Sequence, residues 1–274
     1  MQKSILITGC SSGIGLDAAQ TLRTRGWRVF ASCRAQEDCD RLRAGGFDSP
    51  QIDYEDSASI RTGLAELLEA TGGRLDALFN NGAYAIPAPL EDVPTDALRA
   101  TFEANLIGWH DLTNQVIPMM RTQGHGRIVN NSSVLGLVGM KWRGAYVATK
   151  FALEGMSDVL RMEMADANIQ VVLIEPGPIT TDFRKNAVKK FERWIDWERS
   201  ARVDQYRTAL KDKLYQGSEG GPSWPASAVT AKLIRALEAR RPRARYYVTT
   251  PTHAMGALRR VLPTRWLDAI LTRG

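Results

Sequence analysis

The sequence predicts an α/β fold in which one doubly wound parallel sheet of about seven strands carries helices on both faces. Two observations predict it. Short apolar runs alternate with segments of helical spacing, and a glycine-rich turn directly follows the first run. Because no linker rich in proline, glycine or serine interrupts this alternation, we expect a single domain over residues 1–274.

The predicted strands are short and apolar, as expected for strands that helices cover on both faces. They lie at residues 4–8, 28–32, 51–53, 75–80, 127–132, 170–175 and 246–249. Between them, leucine, isoleucine and alanine recur at helical spacing, which predicts helices over residues 16–25, 57–70, 95–120, 143–167 and 226–239. Gly26 follows the first of these helices as a C-cap, and Pro176-Gly177-Pro178 ends the sixth strand.

The alternation stops after residue 178. Residues 182–224 contain seven aromatic side chains among many charges and show no strand pattern. Two interpretations stay open: a mobile apolar cover over a substrate, or a helical hairpin whose tryptophans form core. Residues 252–274 form a basic amphipathic tail. We expect its apolar stripe to pack on the body or on a partner subunit, and contact with an anionic membrane surface is the alternative.

Composition and charge exclude several classes of protein. The 274 residues are 44% hydrophobic and 24% charged, which is typical of a globular chain rather than a disordered, collagenous or coiled-coil one. The formal charge of +6 comes from scattered arginines without interleaved aromatic residues, so we expect no nucleic-acid partner. No stretch reaches the roughly 20 apolar residues of a transmembrane span.

Cysteine and histidine usage predicts the compartment and the absence of a metal site. The three cysteines form no C-x-x-C pair, and the N-terminal apolar run is too short for a secretory leader, so we expect a cytoplasmic protein. The three histidines are far apart in sequence and lack the spacing to carboxylates or thiols that a zinc site requires. We therefore expect no metal.

Residues 8–15 read Thr-Gly-Cys-Ser-Ser-Gly-Ile-Gly and connect the first predicted strand to the first helix. Glycines at such a turn let backbone N–H groups approach a pyrophosphate at the positive end of a helix. A tight structural turn is the alternative, but the position after the first strand of a βαβ unit favours dinucleotide binding. The glycine spacing is G-x-x-x-G-x-G, which indicates one branch of the nucleotide-binding folds.

The second predicted strand ends in Cys33-Arg34, without a carboxylate. A site for NAD needs an acid here to bind the ribose hydroxyls, whereas a guanidinium binds the 2′-phosphate of NADP through charge-assisted hydrogen bonds. We therefore expect Arg34, with Ser11 or Ser12 across the cleft, to select NADP(H). The alternative is that Arg34 is a solvated surface arginine.

Three residues have the pattern of a proton-transfer site. Tyr146 and Lys150 are four residues apart and would share one face of a helix. A cation beside a phenol lowers the phenol's pKa from about 10, which makes the tyrosine a usable acid or base near neutral pH. Ser133 ends the fifth predicted strand, where its hydroxyl is placed to hold a reacting carbonyl oxygen. A half-buried structural tyrosine is the alternative for Tyr146 alone.

Together these residues resemble the short-chain dehydrogenase/reductase family. The match comprises the 8–15 turn, Asn80-Asn81-Gly82-Ala83, Asn105, Ser133, Tyr146, Lys150 and residues 176–181, in the family's order and spacing. The variant motifs look most like the 17β-hydroxysteroid and retinol dehydrogenase branch, close to bacterial NADP-dependent aldehyde reductases. One departure is the order Gly82-Ala83 where the family has Ala-Gly, which moves the position that can take a positive φ by one residue.

The resemblance implies a role for each matching residue. Tyr146 would exchange a proton with the substrate oxygen, Ser133 would orient that oxygen, and Lys150 would bind the nicotinamide ribose and lower the pKa of Tyr146. Asn105 would hold a water that links Lys150 to solvent. The cofactor would contact Gly9, Ser11, Ser12, Gly13, Ile14, Gly15, Arg34, Asp53, Tyr54, Asn80, Gly82, Tyr146, Lys150, Pro176, Gly177, Ile179 and Thr181.

The resemblance therefore implies an NADP(H)-dependent oxidoreductase that interconverts a carbonyl compound and an alcohol, with a lipophilic aldehyde, ketone or steroid-like compound as substrate. It also implies a homodimer or homotetramer formed through the helices at residues 95–120 and 146–167. Two other functions stay open: a non-catalytic dinucleotide sensor, and an epimerase or dehydratase on a related scaffold. Intact Ser133, Tyr146 and Lys150 argue against a sensor, because a sensor needs no proton donor.

Overall fold

Six parallel strands form a single sheet in the computed structural model, which describes residues 2–215 and 223–273. The strands are β1 (Ser4–Ile7), β2 (Arg28–Ala31), β3 (Ala77–Asn80), β4 (Gly126–Asn131), β5 (Ile169–Glu175) and β6 (Arg245–Tyr247). Their order is β2-β1-β3-β4-β5-β6, so the winding direction reverses between β1 and β3. Ligands of doubly wound sheets bind at such a reversal, beyond the carboxyl ends of the strands. Residues 216–222 of the predicted 182–224 segment and Gly274 of the predicted tail lie outside the described residues.

The prediction of a strand at residues 51–53 is wrong. The structure has only an isolated bridge there, between Gln51 and Cys33. The chain turns at once because Asp53 accepts two local hydrogen bonds, from Glu55 N to its Oδ1 (3.0 Å) and from Asp56 N to its carbonyl oxygen (3.1 Å). The described sheet therefore has six strands rather than about seven.

Helices cover both faces of the sheet, and all five predicted helical regions are helical in the structure, with small shifts at their ends. The helices are α1 (Gly13–Thr24), α2 (Gln36–Ala44), α3 (Ser57–Thr71), α4 (Thr95–Phe102), α5 (Gly108–Gln123), α6 (Gly144–Glu163), α7 (Phe183–Trp194), α8 (Val203–Gln205), α9 (Lys211–Tyr215), α10 (Ser227–Glu238), α11 (Thr250–Val261) and α12 (Thr264–Arg273). The sequence did not predict α2, because it buries only Cys39 and Leu42, too few residues for an apolar period.

The predicted helix at residues 95–120 is interrupted by a π-helical turn, Glu103–Ile107, between α4 and α5. A π turn inserts one extra residue and changes the direction of the side chains around it. Asn105 is fully buried within this turn, directly below the loop that follows β3. The π turn therefore contains Asn105, which the sequence predicts to belong to the functional site.

Apolar side chains fill one core on each face of the sheet, because successive strand residues point to opposite faces. On one face, Leu22 of α1 and Leu233 of α10 are buried against the strands. On the other face, the buried contacts come from Leu64 of α3, Leu112 of α5 and Leu153 of α6. This arrangement confirms the predicted doubly wound α/β class. Within the described helices, none has both the length and the apolar character needed to cross a membrane.

A third, smaller core lies between the 182–215 segment and the loop after β3. Phe191 and Tyr206 are fully buried in it, and Trp194 and Trp197 pack against it. The Tyr206 hydroxyl donates to Asp92 Oδ2 (2.8 Å). The tryptophans are therefore part of a core, as the helical-hairpin interpretation expects, while the mobility of the segment stays a prediction.

Two helical glycines are expected to respond in opposite ways to substitution by alanine. A Cβ on Gly108, in α5, would lie 2.2 Å from the carbonyl oxygen of Tyr54, so the backbone would have to move. A Cβ on Gly155, in α6, would meet nothing within 4 Å. We expect Gly108→Ala to lower the free energy of unfolding by about 1–3 kcal/mol through overpacking, and Gly155→Ala to raise it by up to about 1 kcal/mol through helix propensity. Urea unfolding of both variants tests this, and shifts of the same sign would contradict it.

Candidate active site

The turn between β1 and α1 is built around three glycines. Gly9 and Gly13 have positive φ values of 68° and 56°, which other residues rarely adopt. A Cβ on Gly15 would lie 2.3 Å from the carbonyl oxygen of Gly9. A Cβ on Gly9 would lie 2.7 Å from Cα of Gly82, in the loop after β3. Backbone conformation and close approach therefore require glycine at these three positions.

The same turn presents the first residues of α1 to the cleft at the sheet reversal. Ser12 precedes the helix in an extended conformation without a side-chain cap, and the first helical turn contains no acidic residue. Its backbone N–H groups therefore stay available for an anion at the positive end of the helix. Gly15 is buried, whereas the remaining residues of the turn are partly exposed: Ser11, Ser12, Gly13 and Ile14. The turn fits the pyrophosphate of a dinucleotide.

Two arginines lie beside this turn. Arg34 is exposed just beyond β2. Arg41, on α2, donates from Nη2 to the carbonyl oxygen of Ser11 (2.9 Å) and pairs with Asp38 (2.6 Å). The sequence did not single out Arg41 because it did not predict α2, although the i, i+3 pair with Asp38 was a helical signal. A cation, Arg34, thus stands directly after β2, and the nearby Asp38 carboxylate is paired with Arg41.

Two residues that the sequence predicts to contact the cofactor, Tyr54 and Asn80, are buried beneath the turn. Asn80 is fully buried, and its Nδ2 donates to Thr113 Oγ1 (3.1 Å) and Asn130 Oδ1 (3.0 Å). The Tyr54 hydroxyl lies 2.9 Å from Asn80 Oδ1 and 2.7 Å from Thr8 Oγ1. These internal hydrogen bonds support the glycine turn from below, and the cofactor contacts expected at Tyr54 and Asn80 stay predictions. Asp53 is partly exposed and stays a predicted contact.

The inverted pair Gly82-Ala83 has no conformational consequence. Neither residue has a positive φ. Gly82 instead lies against Gly9, and its carbonyl oxygen accepts a hydrogen bond from Trp109 Nε1 (3.0 Å). The position needs a small residue for close approach rather than a left-handed conformation, so the departure from the family pattern leaves the loop intact.

Ser133 and Tyr146 meet at the carboxyl end of β4. Ser133 caps the short 3₁₀ turn that follows β4, and its Oγ accepts a hydrogen bond from Leu135 N (3.1 Å). Tyr146 lies in the first turn of α6, within hydrogen-bonding reach of Ser133. Burial raises the pKa of the Tyr146 phenol, and the Ser133 hydroxyl offsets only part of that rise. Tyr146 is therefore a neutral phenol, whereas the sequence predicted a lowered pKa.

Lys150 lies one helical turn after Tyr146 and is only 1% exposed. Its Nζ donates to the carbonyl oxygen of Asn131 (2.8 Å) and lies 4.4 Å from the ring centroid of Trp109 and 5.5 Å from that of Tyr146. Burial lowers the pKa of Lys150 to about 7, against the opposing effect of the Glu154 carboxylate. The ammonium therefore exchanges its proton near neutral pH, beside a phenol that holds one.

Asn105 anchors the loop after β3. Its Oδ1 accepts from Tyr84 N (3.0 Å), and its Nδ2 donates to Tyr84 O (2.8 Å) and lies 3.4 Å from Thr149 Oγ1. The amide is thus committed to protein partners. The predicted role of Asn105 in holding a water stays a prediction.

The loop after β5 covers the site from the other side. Val134 N donates to Pro176 O (2.7 Å), which ties this loop to the one that carries Ser133. A Cβ on Gly177 would lie 2.2 Å from Thr249 Oγ1, so only glycine lets the chain pass there. A Cβ on Gly13 would lie 3.0 Å from the methyl group of Thr181, which brings the loop against the glycine turn. Ile179, between them, pairs with Trp224 in an isolated bridge.

Three aromatic or charged side chains that the sequence did not single out complete the site. Trp109, on α5, lies against both Lys150 and the backbone of Gly82. Lys190, on α7, lies 3.9 Å from the ring centroid of Tyr84. Phe183, at the start of α7, packs edge-on against Tyr146 with a distance of 5.5 Å between the ring centroids. No local pattern marks these residues, because each one acts through a partner far away in the sequence.

A buried cluster of charged groups lies behind Lys150. Arg245, on β6, donates to Glu154 Oε2 (3.0 Å) and to Asp158 Oδ2 (2.7 Å). Its Nε lies 3.2 Å from Glu175 Oε1, without the alignment of a hydrogen bond. Burial beside other carboxylates raises the pKa of Glu175 to about 9 and also raises the pKa of Glu154. One guanidinium thus faces three carboxyl groups, and Glu175 holds a proton at neutral pH.

Comparison with known proteins gives consistent relatives. Residues 3–192 match the family described as short chain dehydrogenase. The Escherichia coli K12 protein named uncharacterized oxidoreductase YbbO is 40% identical over 271 residues, which cover 99% of this chain and 94% of the relative. Human 17-beta-hydroxysteroid dehydrogenase type 1 is 30% identical over 260 residues, covering 89% and 77%. A solved short-chain dehydrogenase from Streptomyces avermitilis matches with a TM-score of 0.78 and 27% identity, covering 100% of this chain and 94% of that chain.

The protonated state of Glu175 predicts a pH-dependent stability. The folded protein keeps a proton that the unfolded chain releases above the ordinary pKa of 4.5, so stability falls as the pH rises from there to about 9. The amide of Glu175→Gln imitates the protonated carboxyl and does not titrate. We expect this variant to gain stability over wild type as the pH rises through that window, by more than about 1 kcal/mol at its upper end.

Chemical denaturation across this pH range measures the effect. The matched control is Glu163→Gln, which removes an exposed carboxylate from α6, the helix that carries Glu154. The stability of this variant is expected to follow that of wild type across the pH range. A constant difference between Glu175→Gln and wild type over the whole range would show that Glu175 is ionised in the folded protein.

Proposed function

The chain belongs to the short-chain dehydrogenase family, and from this premise we propose that it is an NADP(H)-dependent oxidoreductase that interconverts a carbonyl compound and its alcohol. The observation that carries the proposal is the position of the Tyr146 phenol between Ser133 and Lys150 at the carboxyl end of β4, on the same edge of the sheet as the glycine turn. A positioned acid and an anion-binding turn at one end of a doubly wound sheet are what a dinucleotide-dependent proton transfer requires.

The chemistry divides between the cofactor and the chain's own residues. A bound nicotinamide dinucleotide supplies the hydride in reduction and accepts it in oxidation. In the direction of reduction, Tyr146 donates its phenolic proton to the carbonyl oxygen while Ser133 donates a hydrogen bond to the same oxygen. The neutral state of the Tyr146 phenol suits this direction, because the proton is already in place.

Lys150 would restore the proton on Tyr146. Its ammonium lies beside the Tyr146 ring and stabilises the phenolate that proton donation leaves behind. Because its pKa is about 7, it can pass a proton on without a large energetic barrier near neutral pH. Phe183 packs against Tyr146 and limits the access of water to it.

We propose NADP(H) rather than NAD(H) as the cofactor. The support is the exposed guanidinium of Arg34 at the end of β2, together with the second cation Arg41 anchored on Ser11. A 2′-phosphate placed there would gain charge-assisted hydrogen bonds from Arg34, which an unsubstituted ribose could not form.

The proposed substrate is a lipophilic aldehyde, ketone or steroid-like compound. Aromatic side chains of the third core, among them Tyr84, Trp142 and Trp194, pack with α7, and Phe183 at the start of α7 contacts the ring of Tyr146. The human relative is named for a hydroxysteroid, a large apolar alcohol. An apolar cover favours substrates whose carbonyl is attached to a hydrophobic body.

We further propose a cytoplasmic homodimer or homotetramer that assembles through the outer faces of α5 and α6. Exposed apolar side chains cluster on this face, namely Ile107, Met156, Val159 and Met162. An apolar cavity of about 380 Å³ lies between α5 and α6 and is lined by Met156 and Val159 of this set. Apolar surface of this kind is typical of subunit interfaces.

Removal of the Tyr146 hydroxyl is expected to abolish turnover but not cofactor binding. NADPH oxidation by Tyr146→Phe, screened over aldehydes, ketones and quinones, should fall by about 10²–10⁴-fold, the usual contribution of a positioned acid. NADPH affinity, measured by fluorescence titration, should stay within about threefold of wild type. Tyr246→Phe, which removes a hydroxyl on β6 away from the cleft, is the matched control. Equal rates in wild type and Tyr146→Phe would refute the mechanism, and NADPH binding without oxidation of NADPH by any carbonyl would favour a sensor or an epimerase.

Reversal of the charge at Arg34 is expected to change the choice of cofactor. Arg34→Asp should weaken NADPH binding by more than about tenfold, through the loss of a charge-assisted pair, and leave NADH binding unchanged or stronger. Arg74→Asp makes the same charge change at an exposed site between α3 and β3 and should affect neither cofactor. Equal affinities of the wild-type protein for NADH and NADPH would overturn the assignment.

A further inference from the structure

Helix α12 carries an apolar stripe that the rest of the chain covers only in part. Trp266 and Ile270 are 67% and 43% exposed, and Leu267 and Leu271 are half-buried. These four residues recur at helical spacing and lie on one side of the helix. None of the α12 side chains that the structure describes is buried. The predicted packing of the tail on the body is therefore incomplete.

Helix α11 holds this stripe in a fixed position on the protein. The space beside Gly256 is filled by the ring of Tyr247, so α11 packs closely on β6. Arg259 donates to the carbonyl oxygen of Leu137, and its guanidinium lies 4.7 Å from the ring centroid of Phe151. α11 is thus anchored to the body at both its middle and its end, and α12 follows it after a single turn.

Positive charge surrounds the stripe. Residues 250–273 contain four arginines and one aspartate. Arg260 and Arg265 are exposed, and Val261 between them is 73% exposed. Tryptophan and arginine beside a short apolar stripe are typical of helices that lie in the interface of an anionic bilayer, where the indole meets the headgroup region and the guanidinium meets phosphate.

We propose that α12 and the end of α11 dock the protein on an anionic lipid surface. A helix of 10 residues is about 15 Å long, half the thickness of the hydrocarbon core, so α12 would lie along the surface. Self-association through this face is disfavoured, because a two-fold contact would bring two copies of the same cationic patch together. Charge complementarity therefore selects the lipid as the occupant.

The position of α11 and α12 relative to the site would make lipid docking useful in the proposed reaction. α11 starts immediately after Thr249, which contacts Gly177 in the loop over the site. The Arg259 contact on Leu137 lies four residues after Ser133. Docking would thus hold the substrate cleft close to the surface in which a lipophilic substrate dissolves. Only this last step rests on the proposed function, since lipid binding itself does not require turnover.

Vesicle flotation tests the docking. Wild-type protein is expected to float with phosphatidylcholine vesicles that contain about a quarter phosphatidylglycerol, to float less as salt rises, and to stay behind with phosphatidylcholine alone. The double variant Trp266→Ser/Ile270→Ser should bind more than tenfold more weakly because it removes the exposed apolar contacts. Arg260→Ala/Arg265→Ala should bind about thirtyfold more weakly, since each basic residue contributes about a fivefold factor at such a surface.

Controls separate this inference from other outcomes. Leu90→Ser removes an exposed apolar side chain from the short 3₁₀ turn before α4 and should bind vesicles as wild type does. Far-ultraviolet circular dichroism and NADPH affinity check that each variant is folded. Failure of wild type to bind anionic vesicles at low salt, or equal binding by the tail variants, would overturn the proposal. A lower mass of Trp266→Ser/Ile270→Ser in light scattering would also overturn it, by assigning the face to a second subunit. A protein that binds vesicles but reduces no carbonyl would refute only the proposed function.

Discussion

The burial of the Lys150 ammonium is the constraint on which the rest of the site depends. A buried charge is unfavourable unless hydrogen bonds and nearby groups replace its hydration. Here one hydrogen bond to Asn131 O and the rings of Trp109 and Tyr146 surround it. Asn131 can accept that bond because it ends β4, and Trp109 is oriented by its bond to Gly82 beside the glycine turn. The ammonium therefore connects α6, β4 and α5, which come together only in the folded sheet.

Burial shifts the pKa values of the acids and of the base in the site in opposite directions, because in each case it favours the neutral form of the group. It raises the pKa of the Tyr146 phenol and of Glu175, and it lowers the pKa of Lys150. Protons are thus held on oxygen, and the lysine exchanges one near neutral pH. The carboxyl cluster behind Lys150 is coupled to the lysine through Glu154. Glu154 forms an ion pair with Arg245, and its charge also keeps the pKa of Lys150 from falling further.

The two ends of the cleft are built differently. The dinucleotide end rests on two extensive cores and on glycines that allow no side chain. The substrate end rests on the smaller third core under α7 and on the tail, whose last helix buries no described side chain. Deep packing fixes the geometry of the glycine turn, whereas the more open end beside α7 and the tail leaves apolar surface exposed.

The sequence by itself determined the α/β class, the positions of the main helices and the approach of Ser133, Tyr146 and Lys150 to one end of the sheet. These features follow from local periodicity and from strand ends that meet at one edge. The strand expected at residues 51–53 failed because a side chain of the same segment bends the chain. Only the tertiary structure decided the internal role of Asn80, the direction of the Tyr146 pKa shift and the exposure of Trp266. Burial and hydrogen-bond partners decide these properties, and they come from residues distant in sequence, so no local pattern could reveal them.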